Sequence, residues 1–383
     1  MRIFLGLSGG VDSAVAAYLL KQQGHEVVCG FMRNWDSAAN NDLFGNDTLE
    51  QDVCTQESDY NDAKAIADKL ELPLIRIDFI EEYWRDVFNV FITQTKEGFT
   101  PNPDILCNRY IKFDQFFEHG KSLGFDKLAT GHYARIIDVD GQARLARAVD
   151  TNKDQSYFLD QVEQSALDHT LFPLGELSKA EVRQIAKSLD LKVADKKDST
   201  GICFIGERHY QQFLSNYLAE SSGDIIDIDT NQVIGQHRGV MFYTIGQRHG
   251  LNISTAVGPW YLCAKDLETN TLYVVKGTQA TALQAHRIIV DRVNWYDQKK
   301  TRNCTVKLRY RQKDQPCRIV FVEDEVHIEF ETPVYSVAAG QEAVFYDDQL
   351  VLGGGRIKAV YNEDKLQLQW VKEYLDGLST ANQ

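Results

Sequence analysis

The stretch Leu5-Gly6-Leu7-Ser8-Gly9-Gly10-Val11-Asp12-Ser13 decides how this chain is read. Ahead of it, Arg2 to Leu7 is an apolar run that reads as a buried strand. Behind it, Val11, Val15, Tyr18 and Leu19 recur at helical spacing until Gly24 closes the element. A glycine-rich turn between a strand and a helix gathers backbone N–H groups at the positive end of the helix, where an anion such as phosphate belongs. No lysine follows the glycines, so this is not a Walker A loop, and the spacing is not G-x-G-x-x-G. The plainer alternative is a tight turn with a Ser or Asp cap.

Outward from the turn, strand and helix alternate. Glu26 to Met32 reads as a second strand, Asp59 to Leu70 as a helix, Leu74 to Phe79 as a third strand, Ile80 to Thr95 as helix and Lys127 to Gly131 as a fourth strand. This rhythm predicts an α/β fold: a mostly parallel sheet with helices on both faces and ligands at the carboxyl ends of its strands. Two stretches interrupt it. Arg33 to Thr55 is polar and aperiodic and predicts a mobile loop over the site. Thr100-Pro101-Asn102-Pro103-Asp104-Ile105-Leu106-Cys107-Asn108 predicts a stiff loop that presents Asp104 and Cys107 just before a helix starting near Arg109.

Further on, Ala134 to Val149 reads as a hairpin turning at Asp140-Gly141, Lys153 to Leu159 as a short helical stretch, and Ser178 to Glu181 as a capping box for a helix through Leu189. Asp198 to Gly206 is a second irregular segment with Cys203 inside it. After a helix over Arg208 to Leu218 the pattern changes to short strands: Ile225 to Ile228, Val240 to Thr244, Trp260 to Ala264, Leu272 to Val275, then several between Ile288 and Val360. The expected division is a catalytic α/β domain over 1–207, a small β-rich middle domain over 208–280 and a C-terminal antiparallel β-barrel over 281–383. The polar tail from Asp376 is expected to fray.

At 383 residues the chain can bury a core in each of two or three domains. Seven cysteines with no C-x-x-C pair indicate neither a disulfide scaffold nor a zinc knuckle, and no metal-ligand set is read from the sequence. The five tryptophans are expected in the core. No apolar run is long enough to span a bilayer, and no basic-then-apolar leader opens the chain; a cytoplasmic protein without membrane contact is the expectation. The formal charge of −14 argues against indiscriminate nucleic-acid binding. Yet Ala285 to Arg318 holds ten Lys or Arg against three acids, so one end of an acidic protein is locally basic.

The run Ser8 to Ser13 resembles the pyrophosphatase (PP-loop) turn of ATP-dependent adenylating enzymes, whose sheet is of the adenine-nucleotide α-hydrolase-like kind. Taken with Phe31-Met32, Thr100 to Asn108, Gly131-His132-Tyr133-Ala134, Lys153 to Leu159, Asp198 to Gly206 and Leu308-Arg309-Tyr310-Arg311-Gln312, the chain is similar throughout to the bacterial tRNA-specific 2-thiouridylases. That resemblance implies ATP-dependent replacement of the C2 oxygen of the wobble uridine, position 34 in tRNAs for Lys, Glu and Gln, by sulfur. The uracil oxygen would be adenylated, and a cysteine persulfide would deliver sulfur with release of AMP and pyrophosphate. ATP and Mg²⁺ are the implied cofactors; tRNA and a sulfur-donor protein, either a relay protein or a cysteine desulfurase, are the implied partners.

Carried over by position, the nucleotide site is Gly6, Leu7, Ser8, Gly9, Gly10, Val11, Asp12 and Ser13 with Met32 and Gly131. Asn102, Pro103 and Asp104 would meet the target base, Asp104 as a proton-transfer group. Cys107 would be the nucleophile and Cys203 the persulfide carrier, the two joined by a transient disulfide. His132, Lys153, Asp154, Gln155, Arg309, Tyr310 and Gln341 would contact tRNA. Read on residue type alone, Asp104 can be a helix cap, Cys203 a core cysteine, His132 a structural histidine, and Arg309 with Arg311 a solvated strand face. A lowered thiol pKa is expected at Cys107, from the following helix and Arg109. Two rival functions use part of the same set: a small-molecule adenylating ligase would need only the glycine loop, and a non-catalytic RNA-binding module only the barrel.

Overall fold

The computed structural model describes residues 1–44, 55–197, 201–203, 205, 209–253 and 258–381. Parts of two expected segments therefore lie outside the described residues: 45–54, with Cys54, in the first loop, and 198–200, 204 and 206 in the Cys203 segment. So does Arg208, the expected start of the next helix. The chain divides into two compact units, the first comprising Met1–Val90, Pro103–Asn216 and Tyr346–Gly353, the second Phe91–Asn102, Tyr217–Phe345 and Gly354–Gln383.

The first unit is built on the expected parallel sheet. Strands β1 (Arg2–Gly6), β2 (Glu26–Arg33), β3 (Leu74–Asp78), β4 (Lys127–Ala129) and β7 (Thr170–Leu171) lie in the order β3-β2-β1-β4-β7. Leu5 is level with Cys29 on one side and Ala129 on the other. Side chains alternate across a strand, so β1 feeds two cores. Ile3 and Leu5 pack with Val11 and Val15 of helix α1 (Val11–Gln22), while Phe4 stacks on Phe116 at 4.5 Å between ring centres. From β1 the chain builds outward through β2 and β3, then returns to place β4 on the other flank. The mouth between the carboxyl ends of β1 and β4 is thus the switch point where open α/β sheets hold ligands.

Other elements follow their local signals. The hairpin β5 (Ala134–Val139) and β6 (Gln142–Arg147) turns through Asp140 and Gly141, both with positive φ, as a tight two-residue turn requires. Ser178 and Glu181 close a reciprocal capping box at the start of the helix Lys179–Ser188.

Several expectations are corrected. The helix behind the two prolines starts at Pro103, not near Arg109, because proline's missing N–H costs nothing in a first turn; Asp104 and Cys107 are helical residues, not loop residues. Asn34 to Asp42 is no loose cover: Trp35 is buried against Tyr83 and Phe88 and donates its indole N–H to Asp42 at 3.0 Å. Its stacking neighbour Trp84, expected in the core, is 37% exposed.

In the second unit, β8 (Gly223–Asp227), β9 (Gln232–His237), β10 (Trp260–Asp266) and β11 (Thr271–Lys276) form a sheet in the order β10-β11-β8-β9. Strand β9 went unread because its polar, glycine-containing sequence carries no apolar alternation. The expected strand Val240 to Thr244 is instead a 3₁₀ turn over Val240–Phe242. Strands β12 (Gln284–Trp295), β13 (Arg302–Lys307), β14 (Gln315–Val322), β15 (Glu325–Tyr335), β16 (Glu342–Asp347) and β17 (Leu350–Asn362) run β12-β15-β14-β13-β16-β17, and β17 pairs back onto β12 to close an antiparallel barrel. The tail does not fray after Asp376: helix Gln367–Ala381 continues, anchored by Val371 and Leu375 in an apolar cluster with Cys263 and Tyr273. Among the described residues no helix is long and apolar enough to cross a membrane.

Candidate active site

The two glycines of the opening turn do different work. Gly9 has φ +76°, and a Cβ there would stand 2.3 Å from the Asp59 carbonyl oxygen, so the fold itself demands glycine. A Cβ on Gly10 would meet nothing closer than the Ser8 hydroxyl at 3.5 Å, so the backbone here borders open space. Gly10 also takes the N-cap position of α1 without a capping side chain, which leaves helix N–H groups available to an anion. Ser13 braces the turn by donating to the Gly10 carbonyl at 3.1 Å and accepting the Ser8 N–H at 3.2 Å. Across the switch point, a Cβ on Gly131 would press to 2.8 Å from the Ser13 nitrogen; only glycine lets the β4 loop come so close.

A cavity of about 330 Å³ opens from this turn. It is lined by all the candidate nucleotide-site residues except Gly9, and by His132, Lys153 and Gln155. Cys203 lines the same cavity, as do Lys112, Lys196 and Lys197. The lining lysines outnumber the lining acids Asp12 and Asp59, so an acidic protein carries a cationic cavity. Asp12 receives Lys179 at 2.7 Å and the Tyr133 hydroxyl at 2.8 Å, and Lys196 bridges Asp59 at 3.0 Å and Asp62 at 2.6 Å.

Behind Cys203 lies Cys107, fully buried, with the two sulfurs 3.8 Å apart as free thiols. The 96-residue separation is closed by the fold. Two hydrogen bonds fix the Cys203 backbone: its N–H donates to Asp104 at 3.0 Å and its carbonyl accepts the Tyr83 hydroxyl at 2.7 Å. Asp104 therefore positions the Cys203 loop instead of capping a helix at Arg109, and burial raises its carboxyl pKa against the pull of that N–H and of Lys112.

The charge distribution reverses the expectation for the thiols. Burial, the hydrogen bond to Cys203 and its charge push Cys107 well above the ordinary thiol range. Cys203 is pulled below it, first by the hydrogen bond from Cys107 and then, against burial, by Lys112. Arg109 does not serve Cys107; it reaches Gln161 at 2.8 Å and Glu163 at 3.3 Å. The cation beside the two thiols is Lys112, which donates to Asn108 at 2.9 Å and hydrogen-bonds Cys203. Sequence reading missed it because Lys112 lies five residues beyond Cys107, off its face in a regular α-helix. Here Asn108–Gln115 is π-helical, and its wider i→i+5 turn brings the two onto one side. Lys179 and Lys196 were missed as well, since ion pairs so distant in sequence leave no local pattern.

The remaining candidates divide between the two units. His132 shares a hydrogen bond of 2.8 Å with Thr130, and burial followed by Lys112 lowers its pKa well below the ordinary value. Asp154 is buried, accepting Ala148 N–H and the Ser156 hydroxyl. Asn102 ends a segment of the second unit, whereas Pro103 begins a helix of the first. Within the second unit Arg309 donates to the carbonyls of Ile245 and Ser336, and Gln341 to that of Thr100.

A parallel sheet with its glycine turn at the switch point, and Cys203 on the wall of the same cavity with Cys107 buried behind it, define an α/β protein of the adenine-nucleotide α-hydrolase-like class. Family models agree: residues 1–207 match the tRNA methyl transferase HUP domain, 211–276 the tRNA methyl transferase PRC-barrel domain and 285–357 the aminomethyltransferase beta-barrel domain. The tRNA-specific 2-thiouridylase MnmA of Mesoplasma florum is 51% identical over 94% of this chain and 99% of its own length. That of Staphylococcus carnosus is 46% identical over 94% and 96%. Among solved structures, an NMN synthetase from Francisella tularensis matches at a TM-score of 0.32 and 17% identity, over 52% of this chain and 67% of that one. The chain belongs to the tRNA-specific 2-thiouridylase family.

Proposed function

We propose that this chain carries out ATP-dependent 2-thiolation of uridine 34 in tRNAs for Lys, Glu and Gln, using Cys203 as persulfide carrier and Cys107 as the thiol that completes transfer. As a member of its family it is an enzyme, a sulfurtransferase acting on tRNA. The observation that carries the finer reading is the shared cavity, in which the open Gly10 turn and Cys203 line one space. A urea-like C2 oxygen is a poor leaving group, so adenylation and sulfur attack must happen on the same base without its release. In this reading ATP lies with its phosphates on Ser8 to Ser13, the uracil oxygen attacks the α phosphate, and pyrophosphate departs. The base must leave its stack for this, which a cavity rather than a flat surface allows.

The donor set suits magnesium in one way only. Asp12 and Asp59 are already paired with Lys179 and Lys196, so the ion would keep phosphate and water ligands and touch at most one carboxylate. Once bound it would spread the polyphosphate charge. Sulfur then moves by exchange: a donor persulfide passes its terminal sulfur to Cys203 and leaves as a thiol, that sulfur attacks C2 as AMP leaves, and Cys107 attacks the Cys203 sulfur, breaking its bond to the transferred sulfur, which stays on C2, and forming a Cys107–Cys203 disulfide that an external thiol reduces. The three-domain division, the barrel as the tRNA-gripping part, and base contact by Asn102, Pro103 and Asp104 belong to the same proposal, as do tRNA contacts by His132, Lys153, Asp154, Gln155, Arg309, Tyr310 and Gln341. The basic run of the barrel supports it, although Arg302 is held by Asp297 and Arg318 by Glu329.

The test incubates the protein with ATP, Mg²⁺, a persulfide donor and unmodified tRNA for Lys. AMP, pyrophosphate and 2-thiouridine are expected; ADP as the main product, or turnover of a free amino acid without tRNA, would overturn the reading in favour of another ATPase or a small-molecule ligase.

A further inference from the structure

Among the described residues, the ionisable groups around Cys203 besides its partner thiol are Lys112, Asp104, Tyr83 and, one step removed behind Lys112, His132. Lys112 is the one cation among them. Its ammonium lines the cavity with Cys203 and is fixed by Asn108, which donates in turn to the Phe158 carbonyl at 2.8 Å. A lysine so enclosed would ordinarily lose its proton, since burial penalises the ammonium. Cys203, Cys107 and Asp104 outweigh that penalty and raise it.

We propose that Lys112 is the charge partner of the Cys203 sulfur, holding it anionic both as the thiolate that accepts sulfur and as the perthiolate that delivers it. The inference rests on Cys203 being the carrier and adds the group that makes it one. In loading, the Cys203 thiolate attacks the terminal sulfur of a donor persulfide; the donor S–S bond breaks, a new S–S bond forms on Cys203, and the donor leaves as a thiolate, with no net oxidation. The Cys203 persulfide then gives up its S–H proton to solvent water, and its terminal sulfur attacks the activated C2, forming the C–S bond as the C–O bond breaks and AMP leaves. In both steps negative charge sits beside Lys112 and the chain takes up no counter-ion from water. Asp104, locked to the Cys203 N–H, keeps the sulfur in reach. Lys112 acts without bonding to the travelling sulfur.

The test needs neither tRNA nor ATP. The rate of Cys203 alkylation by iodoacetamide, followed by peptide mass spectrometry across pH, gives the thiol's titration directly. Lys112→Met should move the midpoint upward by about one unit or more and slow alkylation at pH 7 about tenfold, while Lys112→Arg keeps most of the wild-type profile. Thermal unfolding checks that each variant folds; if Lys112→Met does not, Lys112→Gln, which retains an amide for Asn108, is read in its place. A profile for the neutral variants that superimposes on wild type, or one in which Lys112→Arg shifts as far as they do, overturns the proposal. Failure of thiolation in the wild type would instead sink the functional reading and leave the lysine–sulfur coupling standing.

Discussion

Two pairs of cysteines stand at the same separation in this protein and are not equivalent. Cys107 and Cys203, in the first unit, and Cys304 and Cys317, in the second, both hold their sulfurs 3.8 Å apart. The second pair faces across the antiparallel strands β13 and β14, residue opposite residue. The hydrogen bond with Cys304, burial and the charge of Cys304 all push the pKa of Cys317 up. At Cys203 a lysine works against burial, and a cavity gives a reagent access. Proximity therefore makes a dithiol; a cation and an opening make a nucleophile.

The largest effect that can break this contrast is on turnover. Cys203→Ser is expected to lower thiolation about a thousandfold or more, and Cys317→Ser by no more than about twofold. Comparable losses from both would erase the distinction. Next comes closing the opening. Gly10→Val should fold normally and weaken ATP binding about a hundredfold, because its side chain enters the cavity. Gly9→Ala should instead cost about 1–3 kcal/mol of stability through the strained φ and the Asp59 contact. Calorimetry and thermal melting would separate the two, and an unchanged ATP affinity in Gly10→Val would contradict the assignment of the turn.

A smaller effect concerns pH. The folded-state pKa of Cys203 lies below the ordinary 9.0 and that of Cys317 above it. Alkylation of Cys203 should thus approach its plateau before that of Cys317 begins to rise. The sign for stability follows: a depressed thiol pKa stabilises the fold above the unfolded value, and this contribution is lost as pH falls through the folded one. The smallest expected effect lies in the barrel. Lys307→Ala should lower the salt slope of tRNA binding by about 0.7 to 0.9 for one lost phosphate contact. Arg309→Ala should lower the melting temperature as well, since Arg309 ties two backbone carbonyls together. A salt slope unchanged in Lys307→Ala would move the footprint off this strand.

Much of the first unit was legible because its signals are local. The Gly9-Gly10 turn, the capping box at Ser178 and the Asp140-Gly141 hairpin each declare themselves within a few residues, and the parallel sheet follows from their order. What could not be read depends on three-dimensional company. Cys107 looked like the activated thiol because a helix start and Arg109 are its neighbours in sequence; in space burial and the Cys203 sulfur outweigh the pull of Lys112 on it, and Arg109 turns to Gln161. Lys112 escaped notice because a π-helical turn, not a regular one, aims it. Strand β9 and the helix Gln367–Ala381 were missed for a related reason: tertiary packing overrides a polar or weakly periodic sequence.

Peptide mass spectrometry of a single turnover, with persulfide donor, ATP and tRNA but no reductant, tests the central claim most directly. The account predicts a persulfide on Cys203 before tRNA is added and a Cys107–Cys203 disulfide afterwards, with Cys304 and Cys317 still free thiols. A persulfide on any other cysteine, or a disulfide between Cys304 and Cys317 in place of that one, would contradict it.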